Sequence, residues 1–527
     1  MHSFREKFKS KRIRFQEKSR RGALSIVFGR TAIVLILLLV QFLLLIGLFA
    51  RWQVFTYAYG GSFLISIAMA FHLINRPINS TSRQTWLILS LLFPVVGAAL
   101  YLFIESDLGH RLVRSRLEQL EKISAHCLRQ DETLLKTIEE SEPELYGLTR
   151  YTLSQGGFPI YENSGVKYFP LGEDKFEVML AELEKAEKFI FMEYFIVEEG
   201  FMWDSVLEIL ERKVRQGVEV RVMYDGTNAI FKIPYRYPEK LRAMGIQCKM
   251  FSPIRPLFST YHNNRDHRKI LVIDGHTAFT GGVNLADEYI NRKSVYGHWK
   301  DTAVMIRGEA VRSFTLMFLQ MWNVSERTVE FDRYLSAPVL SFPHSEGYVL
   351  PYGDDPFDNE RVGEAVYLDI INRAKRYVYI MTPYLIIDEE LTNALTFAAK
   401  RGVDVRLILP HIPDKKTAFA LAYTHYRELL QAGVRIYEYT PGFVHAKVFV
   451  SDDVKAVVGT INLDYRSLYL HFECAAYLYK VPAIADICQD FASTLKKCRQ
   501  VTLDSLKTEK RSRKVLGKLL KLFAPLM

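Results

Sequence analysis

Apolar residues are unevenly spread along the chain. Residues 31–50, TAIVLILLLVQFLLLIGLFA, run without a charge between Arg30 and Arg51, and at about 1.5 Å per residue such a run covers the ~30 Å hydrocarbon thickness of a bilayer. A second apolar run, Val54 to Ile74, contains Gly and Ser and ends at Arg76; a third, Trp86 to Ile104, carries Phe93-Pro94-Val95-Val96-Gly97 at its middle. This pattern predicts a transmembrane helix at 31–50 and a membrane anchor over 31–104 with two or three apolar segments. The interrupted third segment reads as a half-span, because irregular backbone at membrane depth needs burial against protein. A cleaved signal peptide fits less well, since its apolar region is shorter and a small-residue cleavage site follows it.

Residues 105–145, rich in Leu, Glu, Arg and Lys, predict a helical linker. From 146 to 500 strand-like apolar runs alternate with helical stretches, and the pattern occurs twice. Phe189–Ile196 leads through a helical stretch to Gln216–Tyr224 and then Ala243–Phe251; Tyr377–Leu385 leads to Arg401–Leu409 and then Gln431–Tyr439. The fold class this predicts is α/β, two half-domains (146–335 and 336–500) with a mainly parallel sheet covered by helices in each and a pseudo-two-fold relation between them.

Composition, 49% hydrophobic and 24% charged, is that of a folded protein. The net charge of +10 sits on the ends: residues 1–30 carry +8 and residues 507–527 carry +6, so the stretch between them is −4. A nucleic-acid-binding protein more often has a basic body, whereas basic tails beside apolar segments suit the anionic cytoplasmic leaflet. Residues 1–30 read as a basic cytoplasmic arm. In 501–527, Val515, Leu516, Leu519, Leu520 and Phe523 share a face away from Lys514, Lys518 and Lys521, which predicts a basic amphipathic interfacial helix. The positive-inside rule places both the arm and the region after the third segment, with Arg111, Arg114, Arg116 and Lys122, on the cytoplasmic side. The five cysteines are scattered without a C-x-x-C pair, which suggests neither a disulfide framework nor a zinc site.

Candidate chemistry lies in a motif that also occurs twice. His267-x-Lys269-x4-Asp274 is followed by Gly281-Gly282-Val283-Asn284, and His445-x-Lys447-x4-Asp452 by Gly459-Thr460-Ile461-Asn462. Residues i and i+2 share one face of a strand, so each His and Lys enter the same pocket. A phosphodiester needs a nucleophile, an acid for the leaving group and donors around its non-bridging oxygens. Two histidines, with Lys269, Asn284, Lys447 and Asn462 as phosphate ligands, supply all three without a metal or cofactor. Asp274 and Asp452 complete the motif and fit a turn-capping role. A neutral imidazole needs its second nitrogen oriented; Asp301 and Glu473, at comparable places in the two copies, are the candidates. Trp299 and Tyr384 read as packing residues, and Glu193 either lines the pocket or satisfies a buried donor.

The paired motifs resemble the phospholipase D superfamily. Asn264-Arg-Asp-His-Arg-Lys269, Gly281-Gly-Val-Asn-Leu-Ala-Asp-Glu-Tyr289, His445-Ala-Lys447 and Gly459-Thr-Ile-Asn-Leu-Asp-Tyr-Arg-Ser-Leu468 resemble its bacterial cardiolipin synthases, over residues 54–527. The resemblance implies a multi-pass protein of the bacterial cell membrane with a cytoplasmic catalytic domain. It also implies transfer of a phosphatidyl group from one phosphatidylglycerol to another through a phosphatidyl-histidine, with glycerol released. On this analogy His267 is the nucleophile and His445 the general acid and then base, although the pseudo-symmetry also accommodates the exchanged roles. The rival within the superfamily is a membrane-bound phospholipase D that hydrolyses phospholipid to phosphatidic acid. Two departures stand out: the extra apolar segment 31–50, and Thr302-Ala303 after Asp301 where the family more often has Thr-His.

Overall fold

The computed structural model describes residues 52–105, 111–228, 232–253, 264–336, 345–358 and 360–526. The predicted basic arm and the span 31–50 lie outside them. The second apolar run forms one helix, α1 (Trp52–Asn75), and the third breaks into α2 (Ser80–Leu92) and α3 (Pro94–Glu105) at the predicted proline. At that break a Cβ on Gly97 would meet the Leu89 carbonyl oxygen at 2.7 Å, so only glycine lets α3 turn so tightly off α2. Among the described residues no helix is long and apolar enough to cross a membrane. The predicted linker holds α4 (Arg111–Ser124) and α5 (Glu132–Ser141), and α6 (Pro143–Gly156) carries helix past the expected end at 145.

The first half comprises β1 (Ser164–Phe169), α7 (Gly172–Leu183), β2 (Phe189–Tyr194), α8 (Phe201–Arg215), β3 (Glu219–Asp225), β4 (Gln247–Phe251), β5 (Arg265–Asp266), β6 (Lys269–Ile273), β7 (Thr277–Gly281), β8 (His298–Lys300), β9 (Ala303–Gly308) and α9 (Val311–Asn323). The second repeats the order as β10 (Tyr348–Asp354), α10 (Val362–Arg373), β11 (Tyr377–Met381), α11 (Glu389–Lys400), β12 (Asp404–Pro410), α12 (Lys416–Gln431), β13 (Arg435–Tyr439), β14 (Gly442–Val444), β15 (Val448–Ser451), β16 (Lys455–Gly459), α13 (Tyr465–Tyr469), β17 (His471–Tyr479), α14 (Ala483–Leu495) and β18 (Cys498–Val501), followed by α15 (Arg511–Lys521). The sheet orders correspond, β1-β9-β7-β6-β2-β3-β4 against β10-β17-β16-β15-β11-β12-β13-β18.

The expectation of mainly parallel sheets is corrected. Within the two large sheets β2–β3–β4 and β11–β12–β13 run parallel, joined by helical crossovers, and two short parallel pairs, β5 with β17 and β8 with β14, link the halves. The other neighbours in these sheets are antiparallel, and a tight turn joins each His-x-Lys strand to the next one. Asp274 and Gly275 take left-handed backbone there (φ 52° and 73°), as do Asp452 and Asp453 (57° and 63°). The strands nearest the site are buried along their length, so β2 reads Phe-Ile-Phe-Met-Glu-Tyr and β6 Lys-Ile-Leu-Val-Ile rather than alternating. One hydrophobic cluster runs through both halves, with Val304 and Phe314 of the first and Leu350 and Val458 of the second among its buried members.

The two motif aspartates do their work at these turns. The Asp274 carboxylate accepts from the amides of Glu187, Lys188 and Phe189 at 2.8, 2.7 and 2.7 Å, and Asp452 from those of Lys375, Arg376 and Tyr377 at 2.7, 2.8 and 3.0 Å. Each ties the end of the His-x-Lys strand to the start of its neighbour. Their inclusion in the catalytic set is therefore corrected: a five-residue strand separates Asp274 from Lys269, about 16 Å at the usual rise. Losing a charged acceptor of three amides costs about 2–4 kcal/mol. Asp274→Ala and Asp452→Ala should each lower the urea-unfolding free energy by that amount, with Asn at either position recovering about half. Unfolding midpoints unchanged from the native chain would contradict this role.

Candidate active site

The site forms where the halves meet, and short parallel strands build it. β5, just before His267, pairs with the start of β17, setting Arg265 opposite His471 and Asp266 opposite Phe472; the His267 amide donates to the Phe472 carbonyl at 2.9 Å. β14, just before His445, pairs in the same way with β8, setting Phe443 opposite Trp299 and Val444 opposite Lys300; the His445 amide donates to the Lys300 carbonyl at 2.7 Å. Each histidine is thus seated on a strand of the opposite half.

The carboxylates follow from that exchange. His267 Nδ1 lies 2.8 and 2.9 Å from the two Glu473 oxygens, and His445 Nδ1 lies 2.7 Å from Asp301 Oδ2. Both predicted orienting residues face a motif histidine, each the one from the other copy. Asp301 is fully buried, and a Cβ on Gly282 would sit 2.0 Å from its Oδ1, so the motif glycine makes room for the carboxylate. In the second copy the corresponding Thr460 instead donates its hydroxyl to Glu473 Oε2.

Lys269 and Lys447, each about 1% exposed, donate to the carbonyl oxygens of their own motif histidines, and Lys447 Nζ is 3.0 Å from His445 Nδ1. Burial, reinforced by these lysines, pushes both imidazoles down: His267 lies well below its ordinary value and His445 falls to about 4. Burial also lowers Lys447 to about 7 and Lys269 to about 8 against the pull of the carboxylates. It raises Glu473 to about 8, opposed by Lys269 and Thr460. Burial raises Asp301 too, but His445, Lys447 and the Thr302 amide outweigh it and hold the group below its usual value. Two neutral imidazoles with oriented Nδ1 atoms therefore face charge-bearing lysines, an arrangement that supplies a nucleophile, a proton carrier and cationic donors for a phosphoryl group.

The predicted phosphate ligands differ in availability. Asn284 accepts from the Ile196 amide at 2.9 Å and donates to the Tyr289 hydroxyl at 2.8 Å, which leaves one amide hydrogen for a ligand. Asn462 is buried with Oδ1 unpartnered. Tyr289 sets its ring edge-on to His445 at 5.4 Å, and Phe195 does the same for His267 at 4.9 Å. Trp299 packs at 5.4 Å from His445, and the Tyr384 hydroxyl donates to Asp414 at 2.6 Å, both as packing residues. Glu193 satisfies a buried donor, Arg268 Nε at 2.6 Å, on the sheet face opposite His267. Sequence reasoning missed His471, whose ring centroid lies 5.5 Å from that of His267; its position two before Glu473 on a strand was the available signal. Ligand atoms of His267, His471 and Glu473 fall within 4.8 Å of one another, close enough to hold a metal, although Lys269 beside them opposes a divalent ion. On the surface His126, Cys127 and Asp332 are similarly spaced.

A family model described as cardiolipin synthase, phospholipase D-like domain, matches residues 179–322 and 367–495, and one described as phospholipase D-nuclease N-terminal matches 64–105. The cardiolipin synthase of Geobacillus kaustophilus is 36% identical over 469 residues, 88% of this chain and 92% of that protein. This chain belongs to the phospholipase D-type cardiolipin synthase family. A Streptococcus mutans protein is 53% identical over 461 residues, 88% of this chain and all of its own length. Among solved structures, phosphatidylserine synthase from Haemophilus influenzae superposes with a TM-score of 0.54 at 16% identity, covering 72% of this chain and 97% of its own, and so shares the fold.

Two outcomes test the geometry. With substrate below saturation, kcat/KM should decline through pH 7 to 8 as Lys447 and Lys269 lose their protons; a plateau extending to pH 9 contradicts it. Gly282→Ala should drive Asp301 off His445 and cut turnover about 10²–10⁴-fold, as loss of an imidazole's orienting carboxylate does elsewhere. Circular dichroism matching the native chain separates this from unfolding.

Proposed function

We propose that this phosphatidyltransferase joins two molecules of phosphatidylglycerol into cardiolipin and releases glycerol. The observation that carries the mechanism is the pair of buried histidines, each with Nδ1 on a carboxylate of the opposite half and Nε2 left for chemistry. One imidazole attacks the phosphorus of the first phosphatidylglycerol; a nitrogen–phosphorus bond forms, the bond to the glycerol oxygen breaks, and the other histidine, which takes up a proton at Nε2 as the phosphate anion binds beside it, gives that oxygen its proton. The second histidine then takes the proton from a hydroxyl of another phosphatidylglycerol. The new oxygen–phosphorus bond forms as the phosphatidyl-histidine breaks. Lys269 and Lys447 hold the non-bridging oxygens through both steps. His267 is the nucleophile in the order that the family resemblance implies. Water in place of the second lipid yields phosphatidic acid from the same residues.

Membrane attachment at the cytoplasmic face of a bacterial plasma membrane completes the proposal. Its supports are the apolar run 31–50 and exposed apolar side chains on α1, such as Leu64 and Phe71 at 67 and 74% exposure. On α15, Val515 and Leu519 are likewise exposed beside its lysines. The turn after α15 packs against α2, the helix that follows α1. The side-chain amide of Asn79, at the start of α2, donates to Asp388 at 3.0 Å and to Tyr469 at 3.1 Å, which docks this unit on the catalytic second half.

Purified full-length protein incubated with phosphatidylglycerol vesicles should yield cardiolipin and glycerol by mass spectrometry. His267→Ala and His445→Ala should each lower the yield at least 10³-fold with the fold intact. Phosphatidic acid without cardiolipin would instead identify the hydrolase.

A further inference from the structure

Beyond the motif residues and their carboxylates the pseudo-symmetry of the site fails again, and this failure is chemical. Trp299 and His471 stand at equivalent positions, two residues before Asp301 and Glu473. Their strand partners are also equivalent, Phe443 for Trp299 and Arg265 for His471, each two residues before a motif histidine. The face beside His445 is therefore aromatic, with Trp299 and Phe443 rings 4.8 Å apart and Tyr289 and Tyr296 packed against Trp299. The face beside His267 instead carries a second histidine and two arginines, with Asp225 beside Arg265.

Three side chains form that second face. Arg466 Nε lies 3.4 Å from His471 Nε2, and with that nitrogen as acceptor the hydrogen of His471 sits on Nδ1. Nδ1 is buried without a hydrogen-bond partner, and the nearest carboxylate oxygen, of Glu473, is 3.8 Å away, beyond hydrogen-bond reach. Arg265 donates to the Ser252 carbonyl at 2.9 Å and lies 3.7 Å from Asp225. A single phosphodiester carries one negative charge, which Lys269 and Lys447 already meet. The added donors exceed what one phosphate needs.

We propose that His471, Arg466 and Arg265 form a second anion subsite, which holds the phosphate of the acceptor lipid while its terminal hydroxyl attacks. The inference rests on the transferase reading above and names its acceptor class: a glycerol that already bears a phosphate. Five bonds separate the attacking oxygen from the acceptor phosphorus, roughly 6 Å when extended. The His471 ring lies 5.5 Å from that of His267, a matching span. Water and free glycerol engage no such subsite, so it favours transfer to a phospholipid over hydrolysis.

The test compares two soluble acceptors with phosphatidylglycerol vesicles as donor: deuterated glycerol and deuterated glycerol 3-phosphate, with labelled lipid products read by mass spectrometry. The native protein should use glycerol 3-phosphate with a kcat/KM about tenfold or more above that for glycerol, the size expected of charge-assisted hydrogen bonds. His471→Gln and Arg466→Gln should bring that ratio to about one, and Arg466→Lys should restore part of it. A native protein that makes cardiolipin yet uses the two acceptors equally overturns the subsite alone. So do variants that lose both acceptors in proportion, since the ratio then stays at its native value. A native protein that transfers to no acceptor and only hydrolyses overturns the transferase reading itself.

Discussion

The exchange of carboxylates between the halves is the contact on which the site depends. Neither half owns a complete catalytic dyad: His267 needs Glu473 and His445 needs Asp301. These are buried charged or polar groups, and a buried carboxylate without a partner is far costlier than one that is paired. The two-residue and three-residue strand pairings that deliver each histidine to the opposite half therefore do two jobs. They join the sheets, and they bring each buried acid to the imidazole that satisfies it. Separating the halves would strand both acids at once, so assembly of the interface and assembly of the chemistry are one event.

Burial then sets the electrostatics. The same desolvation that lowers the histidines lowers Lys269 and Lys447. An empty site that keeps its cations near their titration range is short of negative charge, and an incoming phosphodiester supplies it. The anion stabilises the ammonium groups it touches and any imidazolium formed during proton transfer, so charge is created in the site where substrate is already bound to balance it.

Much of this was legible in the sequence. The repeated strands were found close to their true limits, as with Phe189–Ile196 against β2 at Phe189–Tyr194, because fully buried strands leave continuous apolar runs. Asp301 and Glu473 were singled out by matched positions, but the exchange of their partners was not, since spacing along a chain counts residues within one copy and carries no information about the other. Sheet direction was misread for a related reason. Alternating strand and helix signals dominate three strands of each sheet, while the turns at Asp274 and Asp452 that reverse the rest occupy only a few residues. Those aspartates are constant members of the motif for the backbone amides they hold, so motif membership alone does not separate chemistry from architecture.

A duplicated fold gives two equivalent seats, yet the proposed transfer from one lipid to another makes unequal demands on them. One molecule presents the phosphate to be cleaved, and the other presents a hydroxyl while its own phosphate stays intact. Conserving His, Lys and carboxylate in both seats suits the shared phosphoryl group, which sees the same cations in either step. Divergence is tolerated only outside that group, and there the chain differs most sharply, with Trp299 on one side and His471 on the other. The neighbouring carboxylates differ accordingly: Gly282 leaves Asp301 bare on its motif side, whereas Thr460 adds a donor to Glu473. Symmetry is thus kept where the reaction is symmetric and lost where the two substrates differ, which is why recognition of the acceptor is to be sought in the residues the motifs leave out.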